Sequence, residues 1–370
     1  MKILITYVPA GSGHQRAAEA LFFPLQGKGK PVEPVLVDAI QWADPFFRWC
    51  FGRGYLGMIQ NAPLLWGISY HLTDLKLFSR SVQVLHHLSN AWHAAALEKL
   101  FLESKADWII GTHFLPMEVA GSLKARGRLS ARLMTVITDY RPHTLWIAPG
   151  IDEYAVGSES TRQELIRRGV PEQRIRVLGI PVDPKFSQPL DRSALIQRLG
   201  LEAGRFTILV GSGGAGTGPI VPLVQLLAGI QESIQLMIVA GQNETLFRNL
   251  ERMRPQVRHP MKTFGFINNM EELMGASDLM VSKPGGLTCA EAMVKGLPLI
   301  LTEPIPGQES RNAQFLAREK AALLASRLEE IPGLIQNLIR DPESLRQLGE
   351  RARQLGQPDA ADRIARLVLE

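Results

Sequence analysis

The chain has 370 residues, 45% of them apolar and 21% charged, which excludes a disordered or low-complexity protein and implies about two globular domains. Its two cysteines, Cys50 and Cys289, are too few for a disulfide framework or a zinc cage. The net charge of +5 lies in the first half, since residues 1–182 carry 20 Lys and Arg against 15 Asp and Glu and the remainder carries 21 of each; with no basic tract interleaved with stacking aromatics, nucleic acid is not the expected partner.

In chain order, MKILITYVPAGSGH has too short an apolar run for a signal peptide and reads as a first strand, Ile3 to Val8, entering a tight turn, Ala10 to His14. No later apolar run approaches the ~20 residues of a spanning helix. Gln15 to Leu25 has helical spacing, with Ala17, Ala18, Leu21, Phe22 and Leu25 on its core face. A strand, a Gly-rich turn and a helix open a doubly wound half, with the turn at the carboxyl edge where ligands bind. His14 follows the glycines directly, and an imidazole there can take a proton near neutral pH; the competing reading is a histidine that packs the helix start.

Pro34 to Asp38 is the second strand. The alternation then breaks over residues 42–102, where Phe46, Phe47, Trp49, Phe51 and Tyr55 mix with Arg48, Arg53, Lys76 and Arg80. Aromatic and basic residues at helical spacing, in segments too short to span, point to insertion into an anionic membrane surface. The alternative is an insertion that packs its aromatics on its own domain.

Alternation resumes with the strand Asp107 to Gly111, the helix Leu115 to Arg126 and the strand Arg132 to Ile137, which ends in Thr138 and Asp139. Asp139 at this edge either orients a base histidine or caps a loop. Glu153 to Val156, the helix Glu159 to Arg168 and the strand Arg176 to Ile180 complete the half, and Pro181 to Pro184 reads as a linker.

The second half repeats the plan. Phe206 to Val210 is a strand, and the turn GSGGAGTG from Gly211 to Gly218 holds five glycines in eight residues. Ser212, Gly213 and Gly214 can bring amides close to a diphosphate, and without the Lys-Ser/Thr ending of a P-loop the turn does not imply ATP hydrolysis. A helix is expected from Pro219 at its first position. Gln235 to Ala240 is a strand, the backbone from Phe264 through Phe266 to Ile267 can face a base, and Asn269 to Gly275 is a helix.

Asp278 to Ser282 then runs into Lys283-Pro284-Gly285-Gly286 and a helix, Leu287 to Lys295, whose first N–H groups point at whatever anion sits there. Thr288 and Glu291 share one face near that end; a hydroxyl suits a diphosphate and a carboxylate a ribose. Leu299 to Thr302 is a strand ending in a loop, Pro304 to Glu309, whose Gln308 and Glu309 can bind sugar hydroxyls. From Leu328 to Glu370 the pattern is helical and charged, with helix starts marked by Pro342 and Pro358.

These residues carry a family resemblance. GSGHQRAAEAL, TDYRPHTLW, GIPVDPKF, the glycine turn, the run from GFINNMEEL to GLPLIL, and PIPGQESRNAQFL resemble, in order, the monogalactosyldiacylglycerol synthase and processive diacylglycerol glucosyltransferase group of family 28 glycosyltransferases. A more distant likeness is to the lipid-linked N-acetylglucosaminyltransferase of peptidoglycan synthesis. The resemblance implies an α/β GT-B fold: two Rossmann-like doubly wound domains facing across a cleft. Residues 1–182 would hold the lipid acceptor and associate with the membrane, and 183–345 the UDP-sugar, with 346–370 as helices that pack back on the first domain. It also implies His14 as catalytic base. Gly13, Gly286, Thr288, Glu291, Gln308, Glu309 and Asn312 match its donor contacts. One departure is Asp183, where these enzymes have Arg in GIPIRPxF; a carboxylate leaves the diphosphate to the Gly213 and Gly214 amides.

The expected reaction is inverting transfer of a hexose from UDP-glucose or UDP-galactose to a lipid hydroxyl. His14 would be the base, Asp139 its partner, and no cofactor is needed. No Asp-x-Asp pair of the kind that holds a metal on a diphosphate is present. The expected location is the cytoplasmic face of the cell membrane, peripherally bound. Three other readings stand beside it: a UDP-N-acetylglucosamine 2-epimerase-like isomerase, a lipid-linked N-acetylglucosaminyltransferase and a non-catalytic nucleotide-sugar sensor.

Overall fold

The computed structural model describes residues 1–9, 12–26, 31–44, 74, 95–302 and 307–370. Most of the insertion expected over 42–102 therefore lies outside the described residues. The chain divides into two compact units. The first is Met1–Asp183 with Ile305–Arg311 and Asp359–Glu370; the second is Pro184–Pro304 with Asn312–Pro358.

In the first unit the described elements are β1 (Lys2–Tyr7), α1 (Ser12–Leu25), β2 (Glu33–Asp38), α2 (Ala95–Ser104), β3 (Trp108–Gly111), α3 (Phe114–Ala125), β4 (Arg132–Val136), β5 (Glu153–Val156), α4 (Glu159–Arg167) and β6 (Ile175–Val177). The strands form one parallel sheet in the order β2-β1-β3-β4-β5-β6. Successive side chains of β1 serve opposite faces, as the period of two requires. Leu4 joins a core with Leu97, Phe101, Leu115, Val119 and Leu165, beneath α2, α3 and α4. Ile3 and Ile5 join Ala18, Leu21 and Leu25 of α1, together with Ile364, Ala365 and Val368 near the carboxyl terminus. Burying both faces of a parallel sheet is what its near-continuous apolar strands demand.

The second unit contains α5 (Arg192–Arg198), β7 (Phe206–Gly211), α6 (Ile220–Leu227), β8 (Ile234–Val239), α7 (Glu244–Met253), β9 (Met261–Phe264), α8 (Met270–Ala276), β10 (Leu279–Ser282), α9 (Gly286–Lys295) and β11 (Leu299–Thr302). Then follow α10 (Gln308–Arg318), β12 (Leu323–Ala325), α11 (Ile331–Arg340), α12 (Pro342–Leu355) and α13 (Ala360–Leu369). The first turn of α10 groups with the first unit, as does all of α13. The strands again make one parallel sheet, in the order β12-β11-β10-β7-β8-β9. Ile208, Val210, Leu223, Leu227, Leu250, Ile331 and Ile335 fill one face, and α12 packs against α9.

Several boundaries differ from the sequence reading. The helix expected from Gln15 begins at Ser12, so Gly13 lies in its first turn instead of in a preceding loop. Pro219 is the N-cap of α6, with Ile220 the first helical residue. The strand expected over Arg176–Ile180 is only Ile175–Val177. Gln308 and Glu309, expected in a loop, open α10. Of residues 346–370, those from Asp359 group with the first unit, while α12 stays in the second.

Each sheet has one point where the strand order reverses. In the first unit it lies between β1 and β3, in the second between β7 and β10. Ligands of doubly wound sheets bind outside the carboxyl ends of the strands at such points. His14 follows β1, and the two glycine turns follow β7 and β10.

Candidate active site

In the first unit the backbone fixes the His14 ring. Its Nδ1 lies 2.7 Å from the Thr112 carbonyl oxygen and 3.2 Å from Thr138 Oγ1. A carbonyl only accepts, so Nδ1 carries the proton and donates, which leaves Nε2 with its lone pair in the neutral ring. The Thr112 hydroxyl returns a bond of 2.8 Å to the His14 carbonyl, tying the start of α1 to the end of β3. Burial pushes the His14 pKa down, against Asp139 and the Thr112 carbonyl, which push it up; the net shift is downward. The ring is therefore neutral at pH 7 and able to accept a proton.

Asp139 is buried just past the end of β4. Its charge acts on His14, but the orienting acceptor is the Thr112 carbonyl, a group the sequence reading had not singled out. Asp139 Oδ1 also accepts from Gln308 Nε2 at 2.7 Å. Gln308, expected to face a sugar, thus reaches the carboxylate whose charge acts on His14.

An aromatic wall adjoins His14. The His113 ring is 4.8 Å away in an edge-on arrangement, and Trp146 is 6.1 Å away. His113 stacks on Phe114 at 4.3 Å, and its Nδ1 accepts from the Leu115 N–H at 3.2 Å, capping α3. Burial, then the neighbouring His14, hold the His113 pKa well below 6.5. It is a second neutral imidazole.

In the second unit the glycine turn after β7 has two kinds of glycine. At Gly216, φ is +64° and a Cβ would collide with the Ala240 carbonyl, so this glycine closes the turn. Gly213 also has positive φ, at +70°, but is exposed with nothing near its Cβ position, which leaves backbone open to a ligand. Gly214 is half-buried beside it. Ser212 is fully buried, and its N–H and hydroxyl both donate to the Val239 carbonyl, at 3.3 and 2.5 Å, joining β7 to β8, so the amide expected to approach the diphosphate is engaged inside the sheet.

The turn after β10 leads into α9, whose N-cap is Gly285 with no side-chain cap bond. Its first N–H groups are those an anion satisfies. Gly286 and Glu291 are buried, and Thr288 is half-buried on the first turn. Asn312, expected to touch the donor, is fully buried; its Nδ2 donates to the Pro284 carbonyl at 3.2 Å and so braces this turn. Phe266, just past β9, is 49% exposed, and Glu309 is half-buried on α10. Lys283, which the sequence reading passed over, donates to Thr217 Oγ1 at 2.7 Å. Among the described residues no group of three or more His, Cys, Asp or Glu is arranged to hold a metal ion.

Two family models match successive parts of the chain: monogalactosyldiacylglycerol (MGDG) synthase over residues 14–182 and the glycosyltransferase family 28 C-terminal domain over 206–364. This chain belongs to glycosyltransferase family 28. A processive diacylglycerol beta-glucosyltransferase of Bacillus pumilus (strain SAFR-032) is 27% identical over 370 residues, covering 100% of this chain and 94% of the relative. The family 28 fold is GT-B, and solved structures share it at low identity. Anabaena Alr3699/HepE in complex with UDP-glucose superposes with a TM-score of 0.60 at 16% identity, covering 100% of this chain and 99% of that one. A UDP-GlcNAc 2-epimerase from Neisseria meningitidis bound to UDP-GlcNAc gives 0.62 at 13%, covering 100% of both. At such identities the likeness is one of fold, and the family match is what sets aside the isomerase and sensor readings.

Proposed function

We propose that this family 28 enzyme transfers a hexose from a UDP-sugar to the hydroxyl of a membrane lipid such as diacylglycerol, with inversion, giving a β-linked glycolipid. The observation that carries the mechanism is the bond from His14 Nδ1 to the Thr112 carbonyl, which presents a neutral imidazole with an available Nε2. The acceptor oxygen attacks the anomeric carbon, and its proton passes to His14 Nε2. The bond from that carbon to the β-phosphate oxygen breaks, and UDP leaves with the electron pair. Asp139 stabilises the imidazolium that forms. This is general-base catalysis, the usual way to make an alcohol a competent nucleophile at neutral pH.

The donor would lie at the reversal point of the second sheet. The Gly213 and Gly214 backbone, the Gly286 end of α9 and Thr288 take the diphosphate, Glu291 the ribose, and Phe266 the base. Glu309 and Gln308 serve the sugar, with Gln308 linked to Asp139. Gly13, in the first turn of α1, would also contact the donor. Ser212 and Asn312 shape the turns. The proposed reaction takes no cofactor, since the UDP-sugar is a substrate.

We also propose peripheral binding to an anionic membrane on its cytoplasmic face. Among the described residues no helix is long and apolar enough to cross a membrane. Phe23 and Trp42 of the first unit are 61% and 41% exposed, and the first half carries the excess of basic residues. Incubation with diacylglycerol vesicles and either UDP-glucose or UDP-galactose tests the function. A lipid product with the anomeric proton coupling of a β-linkage is expected. An α-linkage, or release of free sugar without glycolipid, would contradict it.

A further inference from the structure

Two turns leave the second sheet from one rung. Ser282 of β10 is in register with Gly211 of β7, so Ser212 and Lys283 depart side by side. Lys283 reaches across to the other turn. Its Nζ donates to Thr217 Oγ1 at 2.7 Å, and its Cδ lies 3.8 Å from the Cβ position of Gly218. Three residues after Lys283 comes Gly286, the first residue of α9. The ammonium thus stands where the glycine turn, the start of α9 and the reversal of strand order coincide.

A nucleoside diphosphate brings at least two full negative charges to this point, and a third develops as the sugar leaves. Backbone amides offer only partial charges, and a helix end about half of one. Asp183, in the GIPVDPKF stretch, adds negative charge to the chain, not positive. A lysine serves phosphate oxygens as a mobile point charge, without the fixed fork geometry of arginine.

We propose that Lys283 is the diphosphate-binding cation of the donor site. Its ammonium is held beside the glycine turn by the Thr217 hydroxyl. With the donor bound, it meets the diphosphate oxygens and stabilises the charge that grows on UDP as the anomeric C–O bond breaks. This assignment rests on the donor-site reading above.

A structural latch between the two turns would use the same bond, so the test must separate charge recognition from turn stability. UDP binding by calorimetry, and uridine as a competitor of UDP-sugar turnover, are compared for wild type, Lys283→Gln and Lys283→Arg. The expected result is that Lys283→Gln weakens UDP roughly 10- to 100-fold while leaving uridine unchanged, and that Lys283→Arg recovers most of the loss. Equal weakening of UDP and uridine would make Lys283 a latch and overturn the assignment. So would UDP binding that Lys283→Gln leaves intact. No UDP binding by the wild type would overturn the donor-site reading, and this assignment with it.

Discussion

The proton on His14 is placed by a backbone carbonyl: Nδ1 donates to Thr112 at 2.7 Å, at the point where the first sheet reverses its order. The tautomer with a free Nε2 lone pair therefore does not depend on Asp139, whose part is electrostatic. A separable prediction follows for Asp139→Asn. His14 is depressed below its ordinary value, so activity is present at pH 7 and lost as pH falls through the lowered value. Asp139 opposes that depression. Its replacement should move the acid limb of kcat/KM to lower pH, and lower the plateau because the proton acceptor is weaker. A pH–rate profile of the two proteins checks both effects.

Asp74 is a half-buried hub. Its carboxylate accepts from Thr144 N at 2.9 Å, Thr144 Oγ1 at 2.8 Å, Arg168 Nη1 at 2.7 Å and Arg311 Nη2 at 2.5 Å. Burial pushes its pKa up, but Arg168, His143, Thr144 and Arg311 together hold it well below the carboxylate range. Arg311 lies on α10, one turn from Gln308, so the hub also holds the helix that reaches Asp139. Asp74→Asn should destabilise the fold by about 3–5 kcal/mol, because it leaves two guanidiniums under-compensated. Urea unfolding of wild type and variant measures this.

Two neutral imidazoles side by side make stability depend on pH. The His113 and His14 pKa values are both lowered in the folded protein. The unfolded chain therefore binds more protons below about pH 6.5, and stability falls as pH drops through that value toward the folded ones. The slope should reach about 1.4 kcal/mol per pH unit for each such histidine. His113→Asn keeps a capping acceptor for α3 and should flatten the dependence in denaturation at pH 7 and pH 5.

Glu291 is buried one turn into α9, with Thr288 before it. If its carboxylate accepts from the ribose hydroxyls, Glu291→Ala should weaken UDP roughly 10-fold or more. Calorimetry reads this directly, and an unchanged affinity would remove the ribose role.

Much of the scaffold was legible because its strands are bounded by strong punctuation. β5, Glu153–Val156, and β11, Leu299–Thr302, lie where the sequence placed them; Gly296-Leu297-Pro298 precedes the latter. The polar helices α5, α7 and α10 were not singled out. The segment QESRNAQFLAR carries few apolar residues and follows a proline-rich stretch, so Gln308 and Glu309 read as the end of a loop and the rest has no assigned element. β12 is three residues at a sheet edge, too short for any period to register.

In the site, residue type led to His14, Asp139 and the glycine turns. It could not reveal the Thr112 carbonyl, since every residue has one. It could not show that the Ser212 N–H and hydroxyl are both engaged by Val239 through its place in the sheet. Lys283 stands just before Pro284 and two glycines, but only the pairing of β10 with β7 brings it to Thr217.

The most direct test of the central claim compares His14→Ala with wild type in two assays on the same preparation: glycolipid formation under single-turnover conditions, and UDP binding. A proton-accepting role predicts that transfer falls by about 10²–10⁴-fold while UDP affinity is unchanged. Transfer that survives the substitution within a few-fold would contradict the account.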